Sequence, residues 1–321
     1  MSKRISMLPE VWFTGGMVLL VGLISLIYRL PIKLPSGERA SAVGIHYLYP
    51  LIGIGAWGVF ALIGQRTRLA STFLIAFPCY AMVLLCHFTL KLWVPHINPT
   101  LWDALYWDID QKLRPVVLAC FATRRLVAPL FPIGSNSYMV AFITMFYISF
   151  CFHAWRTPEA FRMLFLAALF FQGLGALAYL VMPAIGPFIY ETGISPVQTG
   201  AQMSMLADYR EHVAVGTAWL EQYGGTRITV GLAAMPSLHA GGSFLFLLVA
   251  WRHARTLVPI YAVLFFFIAT AAVANRWHYV IDVPIGMALA WACVAIAARL
   301  APVPYEKTDD LAVPELAPAL A

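Results

Sequence analysis

The sequence predicts an all-α, polytopic membrane helical bundle of about eight spanning helices, on three observations. Of its 321 residues, 61% are hydrophobic and only 11% charged, whereas soluble domains carry about 25% charged residues. The mean hydropathy is +0.78. The apolar runs approach the ~20 residues that a spanning helix needs, and none shows the period-2 alternation of a membrane barrel.

The runs are Val11–Tyr28, His46–Gly64, Ala70–Val94, Tyr138–Trp155, Phe161–Met182, Ala240–Trp251, Leu257–Ala274 and Val280–Leu300. The sixth is short, and its helix should begin a few residues before Ala240. Lys3 and Arg4 precede the first run as in a signal peptide, but the run is long and no small-residue cleavage site follows. It reads as a retained helix. The tail from Pro302, rich in proline and acid, reads as a disordered end.

The net charge of +6 has no basic run of the kind that binds nucleic acid, so no nucleic-acid partner is expected; the bilayer is. Cys79, Cys86, Cys120, Cys151 and Cys293 lie mostly inside apolar runs and read as small buried hydrophobes.

Two connections are long. In the first, Pro95–Asn136, the residues Leu101, Trp102, Leu105, Ile109 and Leu113 recur at helical spacing. Asp103, Asp108, Asp110 and Lys112 fall mostly elsewhere, which predicts an amphipathic helix in the membrane interface, with a soluble loop helix as the alternative. The second, Pro183–Met235, is long enough to cover the mouth of a site. With eight crossings, one face receives the amino terminus, the short connections 65–69, 156–160 and 252–256, and the tail. Those pieces hold Lys3, Arg4, Arg66, Arg68, Arg156, Arg252 and Arg255, and short positive loops stay in the cytoplasm. The long connections then lie on the periplasmic or lumenal face.

Two polar knots, Met235–His239 and Asn275–Asp282, interrupt the apolar sequence between Ala234 and Asp282. If the chain crosses the membrane and returns between them, His239 and His278 meet at the non-cytoplasmic face. Ionisable groups at the membrane edge cost stability and point to function. His278 and Asp282 are one helical turn apart, so the carboxylate can fix the imidazole tautomer and leave the other nitrogen as nucleophile or base. Arg276 offers a planar fork of donors for phosphate oxygens, and Ser237 lies at a helix start, where backbone N–H groups can hold an anion. His239 is placed to protonate a leaving oxygen. Together these are the parts of a metal-free phosphoryl transfer. The bland alternatives are structural histidines at helix ends and an Arg276 that snorkels to the headgroups. Zinc bound by His239, His278 and Asp282 is a further reading, although H-E-x-x-H is missing and Arg276 would repel a cation.

Pro236-Ser237-Leu238-His239, followed by Arg276, His278 and Asp282, resembles the second and third signatures of the type-2 phosphatidic acid phosphatase superfamily. The Leu between Ser and His, and the His278-Tyr279-x-x-Asp282 run, are most similar to its inositol-phosphorylceramide synthase and sphingomyelin synthase-like branch. The resemblance covers roughly residues 95–300. It implies a six-helix phosphatase-like catalytic core there, accessory helices in 1–94 and a tail in 301–321. It also implies that His278 becomes a phosphohistidine, that Asp282 orients it and that His239 protonates the leaving group, with no metal or other cofactor. The family's usual first signature, Lys then six residues then Arg-Pro, is missing, and Arg276 stands two residues before His278 instead of six. Arg210 and Arg227 of the long second connection are the candidates for the missing positive charge. The expected substrate is a membrane lipid phosphate or phosphodiester, resolved by water or by a lipid alcohol. A transporter or flippase with a polar site at one face is the competing class.

Overall fold

The computed structural model describes residues 8–36, 52–53, 55–56, 59–60, 63, 67–129, 137–228 and 235–301. The His46–Gly64 run lies mostly outside the described residues, and the tail from Pro302 lies wholly outside them. Every regular element among the described residues is helical.

Helix α1 (Pro9–Tyr28) starts with proline at its first turn, where a missing N–H costs nothing, and stops at Arg29 in the left-handed conformation. Helix α2 spans Thr67–Ile97. Two short helices follow, α3 (Asp103–Lys112) and α4 (Arg114–Val127), the second starting at Arg114-Pro115. Then come α5 (Ser137–Arg156) and α6 (Pro158–Val181). The long second connection folds into α7 (Pro196–Val215) and α8 (Thr217–Tyr223). The last three helices are α9 (Leu238–His253), α10 (Val258–Ala274) and α11 (Asp282–Leu300).

Six helical segments among the described residues are long and apolar enough to span a membrane: Pro9–Tyr28, Leu74–Ile97, Ser137–Arg156, Pro158–Val181, Arg255–Ala274 and Asp282–Leu300. The chain is an integral membrane helical bundle. Helix α9, expected as a span, has 16 residues, fewer than the ~20 of a spanning helix. Helix α6 is apolar all round and is two-thirds buried (67%), whereas α1 is 11% buried and peripheral. Helix α6 is central to the bundle and touches α1, α2, α5, α9 and α11.

Close approach is concentrated where α9 crosses α11. A Cβ on Gly286 would stand 2.4 Å from the Ser237 carbonyl oxygen, and one on Gly241 would stand 2.5 Å from the Gly286 oxygen. Only small residues let two helix backbones approach this far. The contact brings the start of α9, with His239, against the start of α11, with Asp282. Gly175 of α6 makes room for Leu238 in the same way.

Replacing Gly286 with alanine should therefore lower the thermal unfolding temperature in detergent, with a cost of about 1–3 kcal/mol for forced overpacking. Gly22→Ala, where nothing lies within 4 Å of the added carbon, should leave it unchanged.

Candidate active site

The turn between α10 and α11 builds the site. It is irregular backbone in an apolar interior, where every N–H must find a partner. Arg276 N–H donates to the Val273 carbonyl (3.0 Å) and His278 N–H to that of Ala272 (3.1 Å). Tyr279 N–H goes to Asp282 Oδ2 (2.8 Å) and Val280 N–H to Asp110 Oδ1 (2.8 Å). Tyr279 Oη donates to Asp103 Oδ1 (2.7 Å), and the same carboxylate accepts the N–H groups of Ile185 and Gly186.

Asp103 and Asp110 are two helical turns apart, hence on one face of α3. That face is buried while Leu101, Leu105 and Leu113 are exposed. Two aspartates of this helix thus grip the protein, while Leu105 and the flanking Leu101 and Leu113 face outward together with Asp108, Gln111 and Lys112. The sequence identified the helix but not this division of labour, nor α4 behind it.

Arg276 is the strained member of the turn, with φ at +58°, a region that costs a non-glycine residue about 1–3 kcal/mol. Its side chain accounts for the persistence of that conformation. The guanidinium pairs with Asp110 (2.9 Å) and Glu191 (2.9 Å) and lies over the Trp107 ring at 5.6 Å. Glu191 pairs in turn with Arg114 (2.6 Å). Arg276 is 1% exposed.

His278 follows from that anchoring. Its Nδ1 is 3.3 Å from Asp282 Oδ2, and Asp282 is fully buried. With Nδ1 donating to the carboxylate, Nε2 is the nitrogen that keeps its lone pair. His278 and His239 line one cavity of about 630 Å³. The His239 ring meets the edges of Phe142 (4.8 Å) and Tyr138 (5.2 Å), and His278 is close enough to act electrostatically on it. The structure thus brings His239, His278 and Asp282 together.

It does not bring Ser237, Arg276, Arg227 or Arg210 to the cavity wall. Ser237 is buried, and its N–H donates to the Asp282 carbonyl (3.0 Å), so it ties α9 to α11. Arg227 pairs with Asp208 and, at 3.4 Å, with Glu211, over the Tyr223 ring. Arg210 is exposed on α7. Two ionisable side chains not singled out in the sequence do line the cavity: His87 and Lys91, one turn apart on α2. Their signal was present, since charge-bearing groups inside an apolar run are functional candidates by default. His87 Nδ1 is 3.0 Å from the Gln172 carbonyl.

The long second connection contributes Gln198, Met205 and Asp208 of α7 to the cavity wall. It is fastened to the turn: Gln202 donates to the Asn275 carbonyl (2.8 Å) and Trp277 Nε1 donates to Gln198 (3.1 Å). A second fastening joins His212 of α7 to His96 of α2, Nε2 to Nε2 at 2.9 Å, with His212 stacked on Trp219. Burial, then the His96 neighbour, pushes His212 down from 6.5 to about 4.

Two outcomes are expected. Arg276→Gln leaves the Asp110 carboxylate buried without its partner, so thermal unfolding in detergent should show a loss of about 3–5 kcal/mol, partly recovered by adding Asp110→Asn. For His212, the folded form binds its proton less readily than the open form. The stability it contributes is complete above pH 6.5 and lost as pH falls toward 4. Hydrogen exchange in α7, corrected for intrinsic rates, should therefore quicken over that window, and His212→Gln should flatten the dependence.

No curated protein and no solved structure matches the chain. A model of the PAP2 superfamily matches residues 133–296, just over half of the sequence and the part that holds both histidines and the carboxylate. The chain belongs to the PAP2 superfamily.

Proposed function

We propose that this protein is an integral membrane lipid phosphatase or head-group phosphotransferase that works through a phosphohistidine on His278. The observation that carries the reading is the pairing of an Asp282-oriented imidazole with a second imidazole, His239, in one cavity inside a PAP2-superfamily bundle. His278 Nε2 attacks phosphorus while the bond to the leaving oxygen breaks, and His239 gives that oxygen its proton. In the second step a hydroxyl oxygen attacks phosphorus, His239 takes the hydroxyl proton, and the P–N bond breaks to restore neutral His278. Water as the hydroxyl gives hydrolysis. A ceramide- or diacylglycerol-like alcohol gives transfer, the outcome implied by the likeness to the inositol-phosphorylceramide synthase and sphingomyelin synthase-like branch.

The cavity walls support a lipid substrate. Phe142, Phe146, Phe171, Leu245 and Phe246 supply an apolar side beside the two histidines. The distribution of charge supports a periplasmic or lumenal face for this site. The turn 275–281 and the start of α9 share one end of the bundle, while Arg156 and Arg252, in the last turns of α5 and α9, and Arg255, just after α9, lie at the other.

With a lipid carrying labelled phosphate, His278→Ala should abolish an acid-labile, base-stable phosphoenzyme, and His239→Ala should lower turnover by at least 100-fold. Mass spectrometry of products with and without an acceptor alcohol separates transfer from hydrolysis. Full turnover in His278→Ala sinks the mechanism. Uptake into proteoliposomes without chemical change would favour a transporter.

A further inference from the structure

A third imidazole lines the cavity that holds His239 and His278, and the proposed chemistry leaves it unused. His87 of α2 is 4% exposed. Its Nδ1 lies 3.0 Å from the Gln172 carbonyl oxygen. A carbonyl can only accept, so Nδ1 carries the proton of this bond, and in the neutral ring Nε2 is an acceptor. Among the described residues no group donates a hydrogen bond to that Nε2.

We propose that His87 Nε2 accepts a hydrogen bond from a hydroxyl beside the reacting phosphate, so that the site selects a hydroxyl-bearing substrate over its deoxy counterpart. The hydroxyl belongs to the head group or to the acceptor lipid, and it is not the one that reacts, since that one gives its proton to His239. The proposal rests on the phosphoryl-transfer reading for the position of the phosphate.

Three observations carry it. The first is the fixed tautomer. Gln172 belongs to α6, the most buried of the spanning helices, so the acceptor that orients the ring is itself held in place. The second is location. His87 is close enough to act electrostatically on the ring of His239, which in the proposed mechanism handles the proton of the oxygen bound to phosphorus. A group seated against His87 therefore lies near the reacting centre. The third is the surroundings. The His87 ring meets the edges of Phe88 (5.3 Å) and Tyr179 (5.8 Å), and Phe142, Phe146 and Phe171 line the same cavity. An acceptor facing so apolar a space is costly unless the occupant brings a donor.

The same chemistry decides which part of the substrate sits there. A phosphate oxyanion has no proton to give, and its lone pairs would face that of Nε2. An imidazolium could hold the oxyanion, but it would be a second buried cation one turn from Lys91, and like charges at that spacing repel. A hydroxyl meets neither objection. A site built to bond a hydroxyl discriminates strongly, because the analogue lacking it leaves the acceptor dry.

The test uses the purified full chain in detergent and two soluble esters, glycerol 3-phosphate and propyl phosphate, which share charge and carbon chain and differ in hydroxyls. The wild type should bind the first about tenfold more tightly, by calorimetry. His87→Phe should bring the ratio close to one. His87→Gln, whose amide oxygen can reach the place of Nε2, should restore much of it, which lost packing alone would not allow. A ratio removes any difference in the fraction of folded protein. Two lipid pairs then locate the hydroxyl: phosphatidylglycerol against phosphatidylpropanol as donors, and ceramide against 3-deoxyceramide as acceptors. The pair whose discrimination in kcat/KM falls in His87→Phe contains the lipid that His87 reads. Equal binding of the two soluble esters by the wild type overturns the hydroxyl assignment alone. So does a ratio that His87→Phe leaves intact, or discrimination that it alters in neither lipid pair. Binding of neither ester overturns it together with the phosphoryl-transfer reading. A phosphoenzyme that persists in His278→Ala sinks the nucleophile assignment and leaves the binding ratio as it was.

Discussion

The structure depends on one constraint: an irregular turn inside an apolar bundle must satisfy each of its backbone amides without water. Helix hydrogen bonds satisfy α10 and α11 on either side, but residues 275–281 leave the ladder. The Asn275, Arg276 and His278 amides reach back to carbonyls of α10, while the Tyr279 amide goes to Asp282 at the start of α11 and the Val280 amide to Asp110 of α3; Asp103 of α3 accepts the Tyr279 hydroxyl. The nucleophile candidate is positioned by that solution. Its imidazole meets Asp282 because Asp282 is already aimed at the Tyr279 amide one residue along.

The charges form a second level of the same design. Asp110, Arg276, Glu191 and Arg114 alternate in sign across α3, the turn, the loop after α6 and α4. Removing water from such groups is costly, and the alternation lets each neutralise the next. It also holds Arg276 in a backbone conformation that few side chains adopt. An arginine two residues before a histidine looks like a ligand-binding residue in the sequence. In the folded protein it is the fastening of the turn.

The lid follows the same logic. Its contacts to the turn before α11 run through side-chain amides and to α2 through the His96–His212 pair. Helix α2 is part of this machinery. The sequence grouped it with the accessory helices, yet its Tyr80, His87 and Lys91 form one wall of the cavity. A chain dissected at residue 94 would lose that wall.

The helical membrane class and most of the spans were legible in composition and run length, because the bilayer imposes both on any chain that crosses it. His239, His278 and Asp282 were legible because polar knots are conspicuous in apolar sequence. The role of a charge was not. Arg276 and Lys91 are both single cations near apolar runs, and nothing local says that one meets two carboxylates while the other, among the described residues, meets none. That difference is fixed by which elements tertiary packing brings alongside. The physical reason is that an ion's effect depends on partners hundreds of atoms away along the chain, at distances of a few ångströms in space.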